Sequence, residues 1–370
     1  MLGSPLKDHW INIAEGKVES LSKKPAYAST QYLGEESVVL PAAVNAHAHL
    51  ELSQLESPFE VPSRSMSDWV ARLLAFRRSA NYNAAQGIQQ AMCRPELLES
   101  TIAVADIVPP ILPEDLRFVH LPLWLPLIEI IDWKGEMVSE ELMGDAFGLS
   151  PHAPHTVCPT VLGKVVEQHV PIAMHLAETL EELQLLQHRT GPLLEMMQRA
   201  DPDYNPHSVL IGKRPMDYLQ LLSAAPSVFV IHGNYLDEEE LQFLAAHRDT
   251  MSVVYCPRSH AYFRHTPYPL KKMLDIGVRV LLGTDSLAST PNLSLVAEIQ
   301  FVLQHHPTIP VETIYRMGTC EGALALGLPK EYGTLQPGSP ARFIVLNRTT
   351  TEVPLFGRTC VLHVPSVLPD

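Results

Sequence analysis

The 370-residue sequence predicts an α/β protein built on a (β/α)8 TIM barrel, with a small discontinuous β-module built from both termini. Two observations lead to this prediction. Between residues 37 and 283, eight short apolar runs alternate with segments of helical spacing, which is typical of βα units. The two ends of the chain instead carry short alternating patterns and turn-forming residues, which are typical of small sheets.

Each of the eight apolar runs is continuous rather than alternating, and Gly, Pro, Asn or His bounds it. Continuous apolar runs indicate strands that are covered on both faces, as in a parallel sheet. The eight predicted strands are Ser37–Ala46, Thr101–Val108, Arg117–Ile131, Ala146–Ser150, Pro171–His175, Ser227–His232, Met251–Cys256 and Arg279–Gly283.

Helical spacing occurs in the segments between these runs. Ser67–Arg78 begins with a Ser-Asp capping signal, and Asp237–His247 begins with acidic residues that suit the positive end of a helix dipole. Glu178–Gln198 carries four leucines at helical intervals and is predicted as one helix. The alternation of strands and helices completes the barrel pattern.

The two ends of the chain are predicted to form one module. The tail contains the turn sequence Gln336-Pro337-Gly338-Ser339-Pro340 and a β-rich stretch, 342–346, which we expect to pair with strands near the N-terminus. We therefore predict a β-module formed by residues 1–40 and 331–370, and a (β/α)8 barrel formed by residues 41–330.

Composition excludes several classes of protein. Apolar residues make up 46% of the chain, enough for a large core, and the net charge of −14 disfavours nucleic acids and anionic membranes as partners. The five cysteines include no CxxC pair, which disfavours a disulfide framework. The first residues lack the apolar region of a signal peptide, so a cytoplasmic location is expected.

Histidine, acidic and arginine residues occur at or just after the carboxyl ends of the predicted strands. Active sites of (β/α)8 barrels are built from the carboxyl ends of their strands, so these side chains are expected to meet. The residues concerned are His47 and His49 on the first strand, His152 after the fourth, His175 and Glu178 at the fifth, His232 at the sixth, Arg258 and His260 after the seventh, and Asp285 after the eighth.

The His47-Ala48-His49 pair has the spacing of a metal site. Residues i and i+2 of a strand point the same way, so both imidazoles would face the barrel axis. Zinc accepts His nitrogen and Asp oxygen ligands, and His175 and Asp285 are the natural third and fourth ligands. An HxH pair alone is weak evidence in a chain with 17 histidines, but a set at successive strand ends is stronger.

These motifs together resemble the amidohydrolase superfamily, and most of all its branch of cytosine, guanine and methylthioadenosine/S-adenosylhomocysteine deaminases. The resemblance covers nearly the whole chain and rests on 44–51 (VNAHAHLE), 175–178 (HLAE), His232-Gly233, 256–259 (CPRS) and 283–286 (GTDS). It implies one divalent metal ion, Zn²⁺ or Fe²⁺, held by His47, His49, His175 and Asp285. It also implies a homo-oligomer, since this branch often forms dimers.

The resemblance further implies catalytic roles for Glu178, His232 and Asp285. In this hypothesis a metal-bound hydroxide attacks an aminated purine-type ring and ammonia leaves. Asp285 accepts the proton of the water, Glu178 protonates the ring nitrogen, and His232 orients the hydroxide. Glu178 has an alternative role as an acidic residue that stabilises a helix N-terminus.

Substrate contacts are indicated less specifically. Trp69 and His152 resemble substrate-contacting residues of the nucleoside deaminases, although ordinary helix packing and a buried rim histidine are alternatives. Arg258 and His260 are further candidate contacts, and His260 replaces an asparagine of the family pattern. The glutamate that the family places some nine residues after Trp69 is absent, and Arg77 and Arg78 occupy that region.

The candidate small-molecule substrate is an adenine nucleoside such as 6-aminodeoxyfutalosine, because the motifs are similar to members of the branch linked to its deamination. That nucleoside carries a benzoate, which an arginine could bind. One alternative is a hydrolase of the same scaffold that releases halide or an amine from a triazine-like ring. Another is a non-catalytic scaffold homologue, which the complete set of expected residues disfavours.

Overall fold

The computed structural model describes residues 6, 9–28, 30–33, 37–60, 65–111, 122–136, 146–346, 351–352 and 359–364. Their strands form one eight-stranded sheet, one four-stranded sheet and one three-stranded sheet. Residues 117–121 of the third predicted strand lie outside this described part. The same is true of residues 1–5, 7–8, 29, 34–36, 347–350, 353–358 and 365–370 of the predicted module.

The eight-stranded sheet is parallel, and its strands follow one another in chain order. A parallel bridge between Ala48 and Asp285 brings its first and last members together, so the predicted barrel is confirmed. The barrel strands are β5 (Ala43–Ala48), β6 (Thr101–Val108), β7 (Leu123–Ile130), β8 (Gly148–Pro151), β9 (Ile172–Leu176), β10 (Val228–His232), β11 (Met251–Tyr255) and β12 (Val280–Leu282).

Side chains of the barrel strands alternate between two apolar clusters, as the continuous runs predict. Leu127, Phe229 and Leu281 belong to the cluster inside the barrel. Met174 and Val230 instead pack in the larger cluster formed with the surrounding helices. Because both faces are buried, the strands need no polar alternation.

The first apolar run is two strands rather than one. Its first part is β4 (Val38–Pro41), which pairs with a strand of the tail, and its second part is β5, which pairs with β6. The chain changes sheet at Ala42, whose amide donates to the carbonyl of Arg342. Both parts are apolar, so periodicity could not separate them.

The helices lie mostly between the strands, and in the described part of the chain none is long and apolar enough to cross a membrane. Their bounds are α1 (Met66–Arg77), α2 (Ala84–Met92), α3 (Pro95–Leu98), α4 (Pro159–Glu167), α5 (Leu180–His188), α6 (Pro192–Ala200), α7 (Pro206–Val209), α8 (Pro215–Leu222), α9 (Glu238–Ala246), α10 (Pro257–Phe263), α11 (Leu270–Ile276), α12 (Leu295–His305), α13 (Val311–Met317) and α14 (Cys320–Ala325). A short 3-10 helix, Leu50–Leu52, follows β5.

One predicted helix is wrong in its extent. The segment Glu178–Gln198 forms two helices, α5 and α6, because Arg189 ends α5 in the left-handed conformation and Gly191-Pro192 starts α6. The other two predictions hold within a residue or two. Asp237 caps α9 in a capping box with Glu240.

The tail pairs with strands near the N-terminus, as predicted. β15 (Thr359–Val364) lies between β1 (His9–Ala14) and β3 (Thr30–Tyr32), and β2 (Lys17–Ser22) pairs with the other edge of β1. In the three-stranded sheet, β13 (Phe343–Leu346) lies between β4 and β14 (Thr351–Glu352). The predicted domain boundaries, 40/41 and 330/331, stay a prediction.

Candidate metal centre and active site

A local irregularity of β5 brings both histidines of the HxH pair into the barrel. Ala46 packs in the interior cluster, so strict alternation would turn His47 outward. The register with β6 shifts between Asn45 and Ala48, however, and such an irregularity resets the side-chain direction. The rings of His47 and His49 consequently lie edge to face, with centroids 4.9 Å apart.

Asp285 reaches the same place from the segment after β12. Gly283 precedes it, and a Cβ there would lie 2.9 Å from the Cβ of His47, so glycine allows this close approach. Asp285 adopts a positive φ of 59°. Its Oδ1 lies 3.7 Å from Nε2 of His47, and its Oδ2 accepts hydrogen bonds from Ser259 at 2.6 Å and Ser289 at 2.8 Å.

His175 completes the group from the end of β9. Its Nε2 lies 3.3 Å from Nε2 of His49. Its Nδ1 lies 3.1 Å from the carbonyl oxygen of His152, and a carbonyl can only accept, so Nδ1 carries the proton and donates it. The lone pair of His175 therefore lies on Nε2, which faces the other imidazoles.

The donor set fits a divalent ion such as zinc. Both ring nitrogens of His47 and Nδ1 of His49 are buried without a hydrogen-bond partner, which is costly unless another group binds them. Ligand atoms of His47, His49 and Asp285 lie within 4.8 Å of one another, as do those of His47, His175 and His232. Imidazole nitrogens with one carboxylate oxygen are a common zinc ligand set.

Burial sets the protonation states of this group. It lowers the pKa of His49 well below its usual range and that of His175 to about 3, and neighbouring histidines add to both effects. These imidazoles are therefore neutral, the form that binds metals. Burial raises the pKa of Asp285, but contact with the neighbouring histidines outweighs burial and leaves it below its ordinary value.

His232 is turned into the barrel by its own backbone. Val230 packs on the outer face of β10, so alternation would place His232 there too. His232 has a positive φ of 67°, which redirects its side chain. Its ring lies 5.4 Å from that of His175, and its Nε2 lies 3.4 Å from Oε1 of Glu178.

Glu178 is held beside His232 by its backbone. Its amide donates to Glu182 at 3.0 Å, and its carbonyl accepts from the side chain of Asn234 at 2.9 Å. Burial raises the pKa of Glu178 well above its usual range, and the charges of Asp285 and Glu182 raise it further. The raised pKa favours the protonated form of the carboxyl group, the form that can donate a proton.

One predicted substrate contact, His152, lies next to this centre, and a second, Trp69, is bonded to the segment that follows Asp285. The ring of His152 lies 5.1 Å from that of His175, and its Nδ1 is 2.9 Å from the hydroxyl of Thr156. Trp69 of α1 donates its indole N–H to the carbonyl of Ala288 at 3.1 Å. Ala288 lies in the segment after Asp285. Their contact with substrate stays a prediction.

The other two predicted contacts, His260 and Arg258, lie on α10, on either side of Ser259. His260 packs edge-on against Tyr255 and Tyr268, and its Nε2 is buried without a partner. The guanidinium of Arg258 binds Glu298 at 2.7 Å and donates to Asn292. With a further bond to the carbonyl of Ser294, four of its five N–H donors are used, so we leave Arg258 out of the proposed substrate contacts. Contact of His260 with substrate stays a prediction.

Sequence reasoning missed a charge cluster in which Arg77 joins two buried carboxylates, Glu51 and Glu129. Arg77 Nη2 lies 2.6 Å from Oε1 of Glu51, and its Nη1 lies 3.4 Å from Oε2 of Glu129. Glu129 was detectable, because a carboxylate inside an apolar strand run needs a partner. Arg77 is thus balanced by the chain's own carboxylates, whereas Arg78 is exposed at the end of α1.

The chain is therefore a parallel (β/α)8 barrel with a cluster of potential metal ligands at the carboxyl ends of its strands. The model of the amidohydrolase family matches residues 136–364. The chain therefore belongs to the amidohydrolase family.

The chain is similar in sequence to known deaminases. The chain is 34% identical over 210 residues to the 5-methylthioadenosine/S-adenosylhomocysteine deaminase of Moorella thermoacetica, an alignment covering 54% of this chain and 44% of the relative. It is 25% identical over 355 residues to the aminodeoxyfutalosine deaminase of Deinococcus radiodurans, covering 85% of this chain and 79% of the relative. The chain spans about half the length of the methylthioadenosine/S-adenosylhomocysteine deaminases it matches.

Solved structures share the fold. The Helicobacter pylori aminofutalosine deaminase in complex with methylthio-coformycin superposes with a TM-score of 0.71 and 22% identity, covering 91% of this chain and 86% of that chain. A Xanthomonas campestris adenosine deaminase with bound zinc gives a TM-score of 0.65 and 19% identity, covering 92% and 80% of the two chains.

Proposed function

We propose that this protein is a metal-dependent aminohydrolase that removes the exocyclic amine of an adenine-type nucleoside and releases ammonia. One observation carries the proposal: His47, His49, His175 and Asp285 converge from the carboxyl ends of three strands, with His232 and Glu178 beside them. One zinc or iron(II) ion would be held by the first four of these residues. When bound, such an ion supplies a water acidic enough to act as a nucleophile near neutral pH.

The two carboxylate oxygens of Asp285 have different surroundings, which gives them different roles in this chemistry. Ser259 and Ser289 both donate to Oδ2, which fixes the rotation of the carboxylate. Oδ1 faces His47 and is left to accept the proton of the attacking water. The same oxygen can later return this proton to the departing amine.

Glu178 and His232 act on the substrate ring and on the adduct. Glu178 holds a proton that it can donate to the ring nitrogen next to the attacked carbon, which neutralises charge as water adds. His232, 3.4 Å from Glu178, can hydrogen-bond the oxygen that is added to the ring. In this proposal His152 and Trp69 contact the substrate, and Trp69 stacks its aromatic face on the ring.

The candidate substrate within this class is 6-aminodeoxyfutalosine. The alignment with the aminodeoxyfutalosine deaminase of Deinococcus radiodurans covers 85% of the chain, which supports this choice. Arg77 does not add support, because Glu51 and Glu129 already balance its charge. A cytoplasmic homo-oligomer remains part of the proposal on the sequence grounds given above.

Ammonia release from a substrate panel tests the proposal. Zinc-loaded and iron-loaded protein are assayed with 6-aminodeoxyfutalosine, 5-methylthioadenosine, adenosine, guanine and cytosine, and the variant Asp285→Asn is the control. Ammonia from an adenine nucleoside, lost in the variant, supports the proposal. If other adenine nucleosides are turned over but 6-aminodeoxyfutalosine is not, only the choice of substrate is overturned.

A second set of substrates tests the alternatives. Aminated and chlorinated triazines are scored for ammonia, amine and chloride, because the same centre serves any of these leaving groups. Halide or amine release from triazines without nucleoside turnover overturns the aminohydrolase proposal. Protein that binds no stoichiometric metal and releases none of these products supports a non-catalytic scaffold.

A further inference from the structure

Two stacked tyrosines lie behind His232. The rings of Tyr255 and Tyr268 are 3.7 Å apart and within 9° of parallel, and both side chains are buried. Their hydroxyl groups point to different partners. The hydroxyl of Tyr268 donates to the backbone carbonyl of His232 at 2.9 Å, whereas that of Tyr255 lies 3.4 Å from Nε2 of His306.

The backbone of His232 needs such a partner. Its φ of 67° lies in the left-handed region, which residues other than glycine rarely adopt without support from their surroundings. This conformation turns the imidazole from the outer face of β10 into the barrel. It also presents the carbonyl oxygen to Tyr268 in a buried environment, where an unpaired carbonyl is unfavourable.

Tyr268 is itself held rigidly. Besides the stack with Tyr255, the ring of His260 packs edge-on against it, with centroids 5.5 Å apart and planes at 88°. A buried aromatic ring fixed on two sides keeps its hydroxyl at one position. The position of the hydroxyl therefore defines where the carbonyl of His232 can lie.

We propose that Tyr268 is a positioning residue for His232. Its hydroxyl stabilises the left-handed backbone conformation that directs the His232 imidazole towards Glu178. Tyr268 touches neither substrate nor the proposed metal ligands in this role, and it acts only through His232. The inference rests on the proposed function for its catalytic consequence, but its structural part stands independently.

The paired variants Tyr268→Phe and Tyr255→Phe test the inference. Each removes one buried hydroxyl and keeps both rings of the stack, so the second is a matched control. Losing one neutral hydrogen bond that orients a reacting group corresponds to about a tenfold loss. We expect kcat of Tyr268→Phe to fall about tenfold, with KM and bound metal unchanged. The control should retain kcat within about twofold of the wild type.

Crystal structures of both variants give a readout that does not depend on activity. In Tyr268→Phe we expect the His232 imidazole to move away from Glu178, so that the Nε2–Oε1 distance exceeds 3.4 Å, and in Tyr255→Phe we expect it to stay. An unmoved imidazole in Tyr268→Phe overturns the inference, and equal loss of kcat in both variants overturns it as well. A wild-type protein that releases no ammonia refutes the proposed function, and the two crystal structures then decide the positioning role alone.

Discussion

Replacement of Glu178 by glutamine separates proton transfer from hydrogen bonding at the proposed site. Glutamine keeps the size of the side chain and can still contact His232, whose Nε2 lies 3.4 Å from Oε1 of Glu178. It cannot donate a proton to the ring, which the raised pKa of Glu178 equips the carboxyl group to do. General acid catalysis contributes roughly 10²–10⁴-fold, so kcat should fall by that factor, or about 3–5 kcal/mol in barrier height.

The assay for this variant is ammonia release at saturating substrate, with metal content measured on the same sample. The control is Glu181→Gln, three residues further on, whose carboxylate accepts hydrogen bonds from the hydroxyls of Ser65 and Ser67. We expect the control to keep kcat within a few-fold and both proteins to bind equal metal. If Glu178→Gln with full metal kept kcat within about fivefold, proton donation by Glu178 would be refuted.

Four further predictions follow from particular contacts. Arg258→Met should lower the free energy of unfolding by about 3–5 kcal/mol in denaturant titrations, since Glu298 is left buried without its partner, and KM should not change. Burial raises the pKa of Asp106 to about 8, so the folded state keeps a proton that the unfolded chain releases. The free energy of unfolding should therefore fall as pH rises from about 4 to 8, and this fall should be smaller in Asp106→Asn. His152→Ala should raise KM about tenfold or more with a smaller effect on kcat, as initial rates would show. A chelator should abolish ammonia release and lower the melting temperature, and zinc at about 1,000 times its Kd should restore roughly 4 kcal/mol of stability.

Much of the barrel could be predicted because buried parallel strands appear in sequence as continuous apolar runs. The same property hid one boundary, since Val38–Pro41 and Ala43–Ala48 are both apolar and differ only in which strand they pair with. The break between α5 and α6 carried a readable signal in Gly191-Pro192, which the spacing of the leucines outweighed.

The candidate site was predictable in its members and less so in its geometry. Strand ends of a parallel barrel meet at one edge, so the histidines and Asp285 could be grouped without knowing their contacts. The register shift in β5 and the positive φ of His232 direct side chains against simple alternation, and neither is visible in sequence. Pairing of Arg258 with Glu298 joins residues forty positions apart, which one sequence cannot show.

Metal stoichiometry tests the central claim most directly. Elemental analysis is applied to the wild type and to the variant His47→Ala/His49→Ala, each purified after growth with added zinc and iron. We predict one divalent ion per wild-type chain, and less than about a tenth of an equivalent in the variant, because two of the four ligands are lost. A folded wild type without metal, or a variant that binds as much metal as the wild type, would contradict the account.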